Sequence, residues 1–171
     1  MDTTEVSLTA LIAALYAGLV IAFSSISFGP VQLRIADALI PLSAILGVPA
    51  IIGVSIGALI ANSYYFLSPI DIILGTLANL IASYLIYRFR DKALPACIAG
   101  SFIIGTMVGS YLWLFFPPPN ILGLPLPVWG AMIASVTLSS LIAVAGLGYI
   151  LLESLRRSGL PELLKSRGVE V

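Results

Sequence analysis

The sequence predicts an all-α integral membrane protein with a single transmembrane domain, and three observations support this. Of its 171 residues, 60% are hydrophobic and only 9% are charged, whereas soluble domains carry about 25% charged residues. The mean hydropathy is +1.11. Apolar runs recur along the chain, and most of them approach the roughly 20 residues that an α-helix needs to cross the hydrocarbon core of a bilayer.

Six transmembrane helices account for these runs. The stretch between residues 35 and 66 is too long for one crossing, and Pro41, Gly47 and Pro49 interrupt it. Because proline removes a backbone donor and clashes with the preceding turn, this stretch is predicted to form two shorter helices. The helices are expected at about residues 8–27, 35–46, 50–66, 70–87, 93–116 and 128–152, followed by a tail at 153–171.

Basic residues predict the orientation in the cell membrane. Seven of the eight lie in two clusters, which the positive-inside rule places in the cytoplasm. With six helices both termini are cytoplasmic, whereas a five-helix arrangement moves only the N-terminus to the other side. Arg34 is alone on the outer side. The clusters are Arg88, Arg90 and Lys92, and then Arg156, Arg157, Lys165 and Arg167.

Composition excludes several functions. The 8 basic and 8 acidic residues balance, so no basic surface for nucleic acid is expected. The sequence has no histidine, which removes the Ser-His-Asp triad and the commonest zinc ligand, and the lone Cys97 allows no internal disulfide. Asp91 and Leu164 precede the two lysines, where a Walker A motif needs glycine. We therefore expect no enzyme activity, no ATPase within the chain, no metal and no cofactor.

Polar residues in or beside the apolar runs are candidates for a binding site, because ionisable groups at membrane depth are costly and usually functional. Asp71 and Asn79 lie two helical turns apart, on one face. Structural roles stay open for individual residues. Arg34 and Asp37 are three residues apart, a spacing that allows a local ion pair on a helix. Asp71 near a helix start is favoured by the positive end of the helix dipole, and the amides of Asn62 and Asn79 can form hydrogen bonds between helices. Together, six residues are interpreted as an outward-facing pocket: Gln32, Arg34, Asp37, Asn62, Asp71 and Asn79.

The stretch from Ser27 to Leu39, SFGPVQLRIADAL, resembles the signature of the queuosine-precursor transporter family (QueT type), Ser-Phe-Gly-Pro-Ile-Gln-x-Arg-x-x-acid-Ala-Leu. The resemblance continues through residues 57–62 and through DIILGTLA at residues 71–78. Two positions depart from the family: Asp37 stands where Glu is usual, and Ser139-Ser140 stands where Gly-Glu is frequent. The resemblance implies a bundle like that of the S-components of energy-coupling factor (ECF) transporters, with six helices and cytoplasmic termini.

The resemblance also implies the partners and the ligand. An S-component binds the solute and assembles with an ECF transmembrane scaffold subunit and two ATPase subunits, and the small residues Ala13 and Ala17 match the family's docking motif on the first helix. The implied solute is a 7-deazaguanine, whose ring edge offers N–H donors and a carbonyl acceptor. The groups available are Asp37 or Asp71 as acceptors, Asn62, Asn79 or Gln32 for the carbonyl, and Tyr16, Phe28, Tyr64 or Trp113 for ring stacking.

Two other functions stay open. An ion-coupled secondary transporter would use Asp37 or Asp71 to bind the coupling ion, but such carriers usually show paired inverted repeats, and none is evident. An intramembrane aspartyl protease would use both carboxylates with a shared proton, but nothing around Asp71 resembles a protease motif. A solute-binding subunit without its own ATPase accounts for more of the sequence.

Overall fold

The computed structural model describes residues 2–28, 31–117, 126–159 and 161–162. Within these ranges all regular structure is helical, and α-helices alternate with shorter 3-10 and π segments. The elements are α1 (Thr3–Ala22), α2 (Ser24–Ser27), a 3-10 helix (Ile35–Leu42), α3 (Ser43–Leu46), α4 (Val48–Tyr65), α5 (Pro69–Arg88), a 3-10 turn (Arg90–Lys92), α6 (Ala93–Leu112), α7 (Val128–Ser140), a π-helix (Leu141–Gly148) and α8 (Tyr149–Arg157).

Among the described residues, five helices are long and apolar enough to cross a membrane, which confirms an all-helical, multi-pass membrane protein. The span predicted at 35–46 is a segment with eight residues in 3-10 and four in α geometry. At about 2.0 and 1.5 Å per residue it is roughly 22 Å long, shorter than a hydrocarbon core of about 30 Å. Six spans are therefore not confirmed. The five helices are Thr3–Ala22, Val48–Tyr65, Pro69–Arg88, Arg90–Leu112 and Val128–Arg157.

The Ile35–Leu46 segment lies inside the bundle. Ile40 is fully buried, and Leu46 is only 7% exposed. The segment packs against α1 and the π-helix, and the second contact is close, since a Cβ placed on Gly148 would lie 2.8 Å from Cγ of Pro41. Because protein rather than lipid surrounds this backbone, its departure from α geometry is tolerated at membrane depth. Pro41, which lacks a backbone donor, favours that departure.

The helix ends also differ from the predicted ones. α1 begins before residue 8, because Asp2 forms a capping box with Glu5, whose amide donates to Asp2 Oδ1 at 2.8 Å. α6 ends at Leu112 rather than at residue 116, and the last helical stretch continues through α8 to Arg157 rather than ending at residue 152. Four residues of the signature stretch and of the basic clusters lie outside the described ranges, namely Gly29, Pro30, Lys165 and Arg167.

Small residues bring α1 and α4 into close contact. A Cβ placed on Gly57 would lie 2.8 Å from the carbonyl oxygen of Ala13, and one on Gly53 would lie 2.8 Å from that of Thr9. Ala13 and Ala17 are only 7% and 6% exposed. The pair that the resemblance matches to the docking motif is therefore buried in this structure, on the side of α1 that faces α4.

Candidate functional site

A small cavity lies inside the bundle where the 3-10 helix, α5, α6 and α7 meet. Its volume is only about 10 Å³, about the space that one water molecule needs and far below the roughly 300–1,000 Å³ of typical small-molecule pockets. One wall is polar, and the other, from α6 and α7, is mainly aliphatic. The lining residues are Gln32, Arg34, Asp37, Asn79, Ile104, Val108, Val136 and Ser140. Four of the six predicted site residues thus share one cavity.

Tyr16 and Asn79 hold the Asp37 carboxylate in place at the cavity wall. The Tyr16 hydroxyl donates to Asp37 Oδ1 at 2.5 Å, and Asn79 Nδ2 donates to the same hydroxyl at 2.6 Å. Tyr16 is fully buried, and the other two side chains are nearly so. The chain of bonds joins α1, the 3-10 helix and α5, so the carboxylate is oriented before any ligand arrives.

Gln32 and Arg34 supply buried hydrogen-bond donors. They are 5% and 6% exposed, and Gln32 Nε2 and Arg34 Nε and Nη2 have no hydrogen-bond partner within the described part of the chain. The guanidinium lies 5.1 Å from the centre of the Phe28 ring, which stacks on Tyr65. A buried donor left unpaired costs about 1–3 kcal/mol, and more when charged. These groups are therefore available for a ligand that brings acceptors.

The other two predicted residues, Asn62 and Asp71, form a second polar cluster with Tyr111, and none of the three lines the cavity. Tyr111 Oη donates to Asp71 Oδ1 at 2.8 Å, and Asn62 Nδ2 donates to the Asp71 carbonyl oxygen at 3.3 Å. Ser68 caps α5 by accepting from the Asp71 amide at 3.1 Å. Asp71 thus lies in the first turn of α5, where the helix dipole favours it, but its side chain is fully buried.

The two carboxylates do not form the proton-sharing pair of an aspartyl protease. Asp37 accepts from Tyr16 and Asp71 accepts from Tyr111, and no hydrogen bond joins one of these described carboxylates to the other. A shared proton requires the two groups to be in direct contact. The arrangement is suited to binding a polar solute.

None of the aromatic side chains predicted to stack on a ligand lines the cavity. Tyr64 and Trp113 are 71% and 39% exposed, and Phe28 stacks on Tyr65. Tyr111 was missed by reasoning from the sequence. The sequence feature that could have identified it is a tyrosine within an apolar run, because the hydroxyl of a buried tyrosine usually needs a hydrogen-bond partner.

Comparison with curated proteins and with solved structures gives no significant match. A family model described as QueT transporter matches residues 6–157, which include both polar clusters. A transporter family agrees with a buried polar cavity inside a bundle of membrane-length helices. The chain therefore belongs to the QueT transporter family.

Proposed function

We propose that the chain is the substrate-binding membrane subunit of an ECF-type importer, and that its cavity takes a queuosine precursor of the 7-deazaguanine type or a related small solute. The observation that carries the proposal is the set of buried donors on Gln32 and Arg34 beside the Asp37 carboxylate, which have no hydrogen-bond partner among the residues that the structure describes. Donors and an acceptor on one wall fit a planar ring that carries the complementary groups.

The ring edge of a 7-deazaguanine supplies those groups. Its carbonyl oxygen can accept from Gln32 and Arg34, and its N–H and amino groups can donate to Asp37. The aliphatic side chains of Ile104, Val108 and Val136 cover the opposite wall and suit the apolar face of a ring. Because the cavity is small, the lining side chains must move apart when a ring enters.

Ser140 bears on which solute is taken. It lines the cavity at the position where the resemblance places a frequent glutamate. A hydroxyl at this position can accept from a ligand or donate to it, but it carries no charge. We therefore expect the solute to differ from that of glutamate-containing relatives in the group that meets this wall.

The role requires partners that hydrolyse ATP, because the sequence has no Walker A lysine. We propose an ECF transmembrane scaffold and two ATPases, with the Ile35–Leu46 segment as a sixth span and both termini cytoplasmic.

The docking surface for the scaffold is proposed on the exposed side of α1, because Ala13 and Ala17 are buried. We define this α1 outer strip by four exposed small residues at four-residue spacing: Ala10, Ala14, Gly18 and Ala22.

Mass spectrometry of the protein purified from its own membranes tests the proposal. We expect a retained 7-deazaguanine or similar heterocycle, together with peptides of one membrane scaffold and two ATPases. Purification of the chain alone, with uptake driven by an ion gradient, would contradict it. That result would favour the ion-coupled secondary transporter, in which Asp37 or Asp71 binds the ion; Asp71 Oδ2 has no hydrogen-bond partner among the described residues.

A further inference from the structure

We infer that Ser139 is a positioning residue for the solute site. Its hydroxyl holds the backbone of residues 31–34, so that the donors of Gln32 and Arg34 lie at the cavity wall. The inference rests on the proposed function, because those donors are the groups assigned to the solute. Ser139 itself is not among the residues that line the cavity, so it acts through the segment that it holds.

The segment at residues 31–34 forms part of the cavity wall and belongs to no helix. Ser139 Oγ donates to the carbonyl oxygen of Val31 at 2.6 Å, and this bond joins the start of the segment to α7, 108 residues later in the chain. At the other end, the Asp37 amide donates to the Arg34 carbonyl oxygen at 3.0 Å. The segment is therefore attached at both ends, to α7 and to the 3-10 helix.

The backbone of Gln32 has a conformation that requires such an attachment. Its φ is 46°, in the left-handed region that residues with a Cβ rarely adopt because of steric strain. Strained conformations of this kind persist only where the surrounding structure fixes them. The carbonyl group that Ser139 binds belongs to the peptide unit between Val31 and Gln32, and its carbon is one of the four atoms that define this φ. The hydrogen bond therefore restrains the torsion that directs the Gln32 side chain.

Gln32 depends on this restraint more than Arg34 does. Its side chain is buried at the cavity, whereas that of the neighbouring Val31 is exposed. Gln32 Nε2 has no hydrogen-bond partner within the described part of the chain, so no bond from this nitrogen resists a rotation of the residue. Arg34 is held by the 3-10 helix and lies over the Phe28 ring. Loss of the Ser139 bond should therefore release Gln32 first.

The direction of the Ser139 bond distinguishes it from other buried serines of the bundle. Helical serines commonly donate to a carbonyl one turn earlier in their own helix. Ser55 and Ser83 do so, to Ile51 and Asn79. Ser139 donates instead to a segment outside its helix. Ser55→Ala is therefore a matched control, because it removes a buried serine hydroxyl without changing a contact between elements.

Calorimetric titration of 7-deazaguanine into the full chain in lipid nanodiscs tests the effect on binding. We expect Ser139→Ala to lose affinity about threefold or more, and Ser55→Ala to keep the parent affinity. In a Gln32→Ala background, Ser139→Ala should have little further effect, because no Gln32 donor is left to position. Parent affinity of Ser139→Ala, or the same loss in both backgrounds, would overturn the positioning role.

Thiol labelling tests the position of residue 32 without a ligand, and so separates this inference from the proposed function. In Gln32→Cys the new thiol takes a buried position, and the native Cys97 is also buried. Because a water-soluble maleimide reaches residue 32 only when the segment opens, adding Ser139→Ala should speed labelling about threefold or more. Adding Ser55→Ala should not. Equal labelling rates with and without Ser139→Ala would overturn the inference. Faster labelling in a chain whose parent binds no 7-deazaguanine would overturn the proposed function alone.

Discussion

The hydroxyl of Tyr16 donates a hydrogen bond to Oδ1 of Asp37 over 2.5 Å. The bond joins the first long helix to the 3-10 helix, 21 residues later in the chain. The same hydroxyl accepts from Asn79 on α5, so one buried side chain fixes the meeting point of three elements. The orientation of the polar cavity wall depends on this tyrosine.

Tyr16→Phe removes the hydroxyl and leaves Asp37 Oδ1 and Asn79 Nδ2 without this partner. Because both groups are buried, we expect the free energy of unfolding to fall by about 1–3 kcal/mol for each group left unpaired. Solute affinity should fall as well, since the carboxylate is no longer held. Thermal unfolding and calorimetry on one sample measure both effects. Tyr64→Phe, at a side chain that is 71% exposed, should change neither, and an unchanged Tyr16→Phe would contradict the structural role of the bond.

Asp37→Asn keeps the side-chain shape but replaces one acceptor oxygen with a donor group. The Tyr16 hydroxyl can still donate to the remaining oxygen, so the fold should survive. A ligand N–H would meet an amide N–H, and we expect affinity to fall about tenfold or more. Asp37→Glu, which introduces the acid that the resemblance implies for this position, should retain binding. Normal affinity of Asp37→Asn would mean that the carboxylate serves only to hold Tyr16.

Gly57→Val tests the contact between α1 and α4. A Cβ at this position would lie 2.7 Å from Tyr16 Cβ and 2.8 Å from the Ala13 carbonyl oxygen, so the helices must move apart. We expect a loss of about 1–3 kcal/mol, the usual cost of overpacking, seen as a lower melting temperature. Gly18→Val is the control, because a Cβ there meets nothing within 4 Å. Equal melting temperatures for the two variants would refute the close contact.

Ala14→Trp combined with Gly18→Trp tests the α1 outer strip. Large side chains on this strip would hold a partner helix away and remove the close contacts that drive association in lipid. We expect solute binding by the isolated subunit to persist, with loss of assembly with the scaffold and of ATP-dependent uptake. Reconstitution with and without the scaffold and ATPases measures the two activities separately. Full uptake by this variant would show that docking occurs on another surface.

The long helices could be predicted because their apolar runs match the thickness of a bilayer, but the geometry of Ile35–Leu46 could not. A segment buried among other helices is as apolar as one that faces lipid, so hydropathy does not distinguish them. Pro41 was the only local sign of non-α backbone. For a related reason, the sequence did not show which face of α1 is buried in the bundle and which is exposed. Alanine occurs on both faces of α1, and only the position of α4, through Gly53 and Gly57, decides which face is buried.

The candidate site was predictable as a set of polar residues but not as a geometry. The rarity of polar groups in or beside the apolar runs led to the prediction of six candidate residues, and the structure places four of them around one cavity. The division into two clusters depends on how the helices are rotated against each other. That rotation also selects the tyrosine partners, Tyr16 for Asp37 and Tyr111 for Asp71, which no spacing along the chain encodes.

Calorimetric titration of 7-deazaguanine into the parent chain and into Arg34→Met tests the central claim most directly. Arg34 is a buried cation whose Nε and Nη2 have no hydrogen-bond partner among the described residues, and it also interacts electrostatically with Asp37 and Asp71. Its removal leaves these buried carboxylates without a countercharge, so we expect a lower melting temperature, and binding is measured below that temperature. We expect saturable binding to the parent and a loss of at least about tenfold in the variant. No binding to the parent, or equal affinity in the two proteins, would contradict the assignment of this cavity as the solute site.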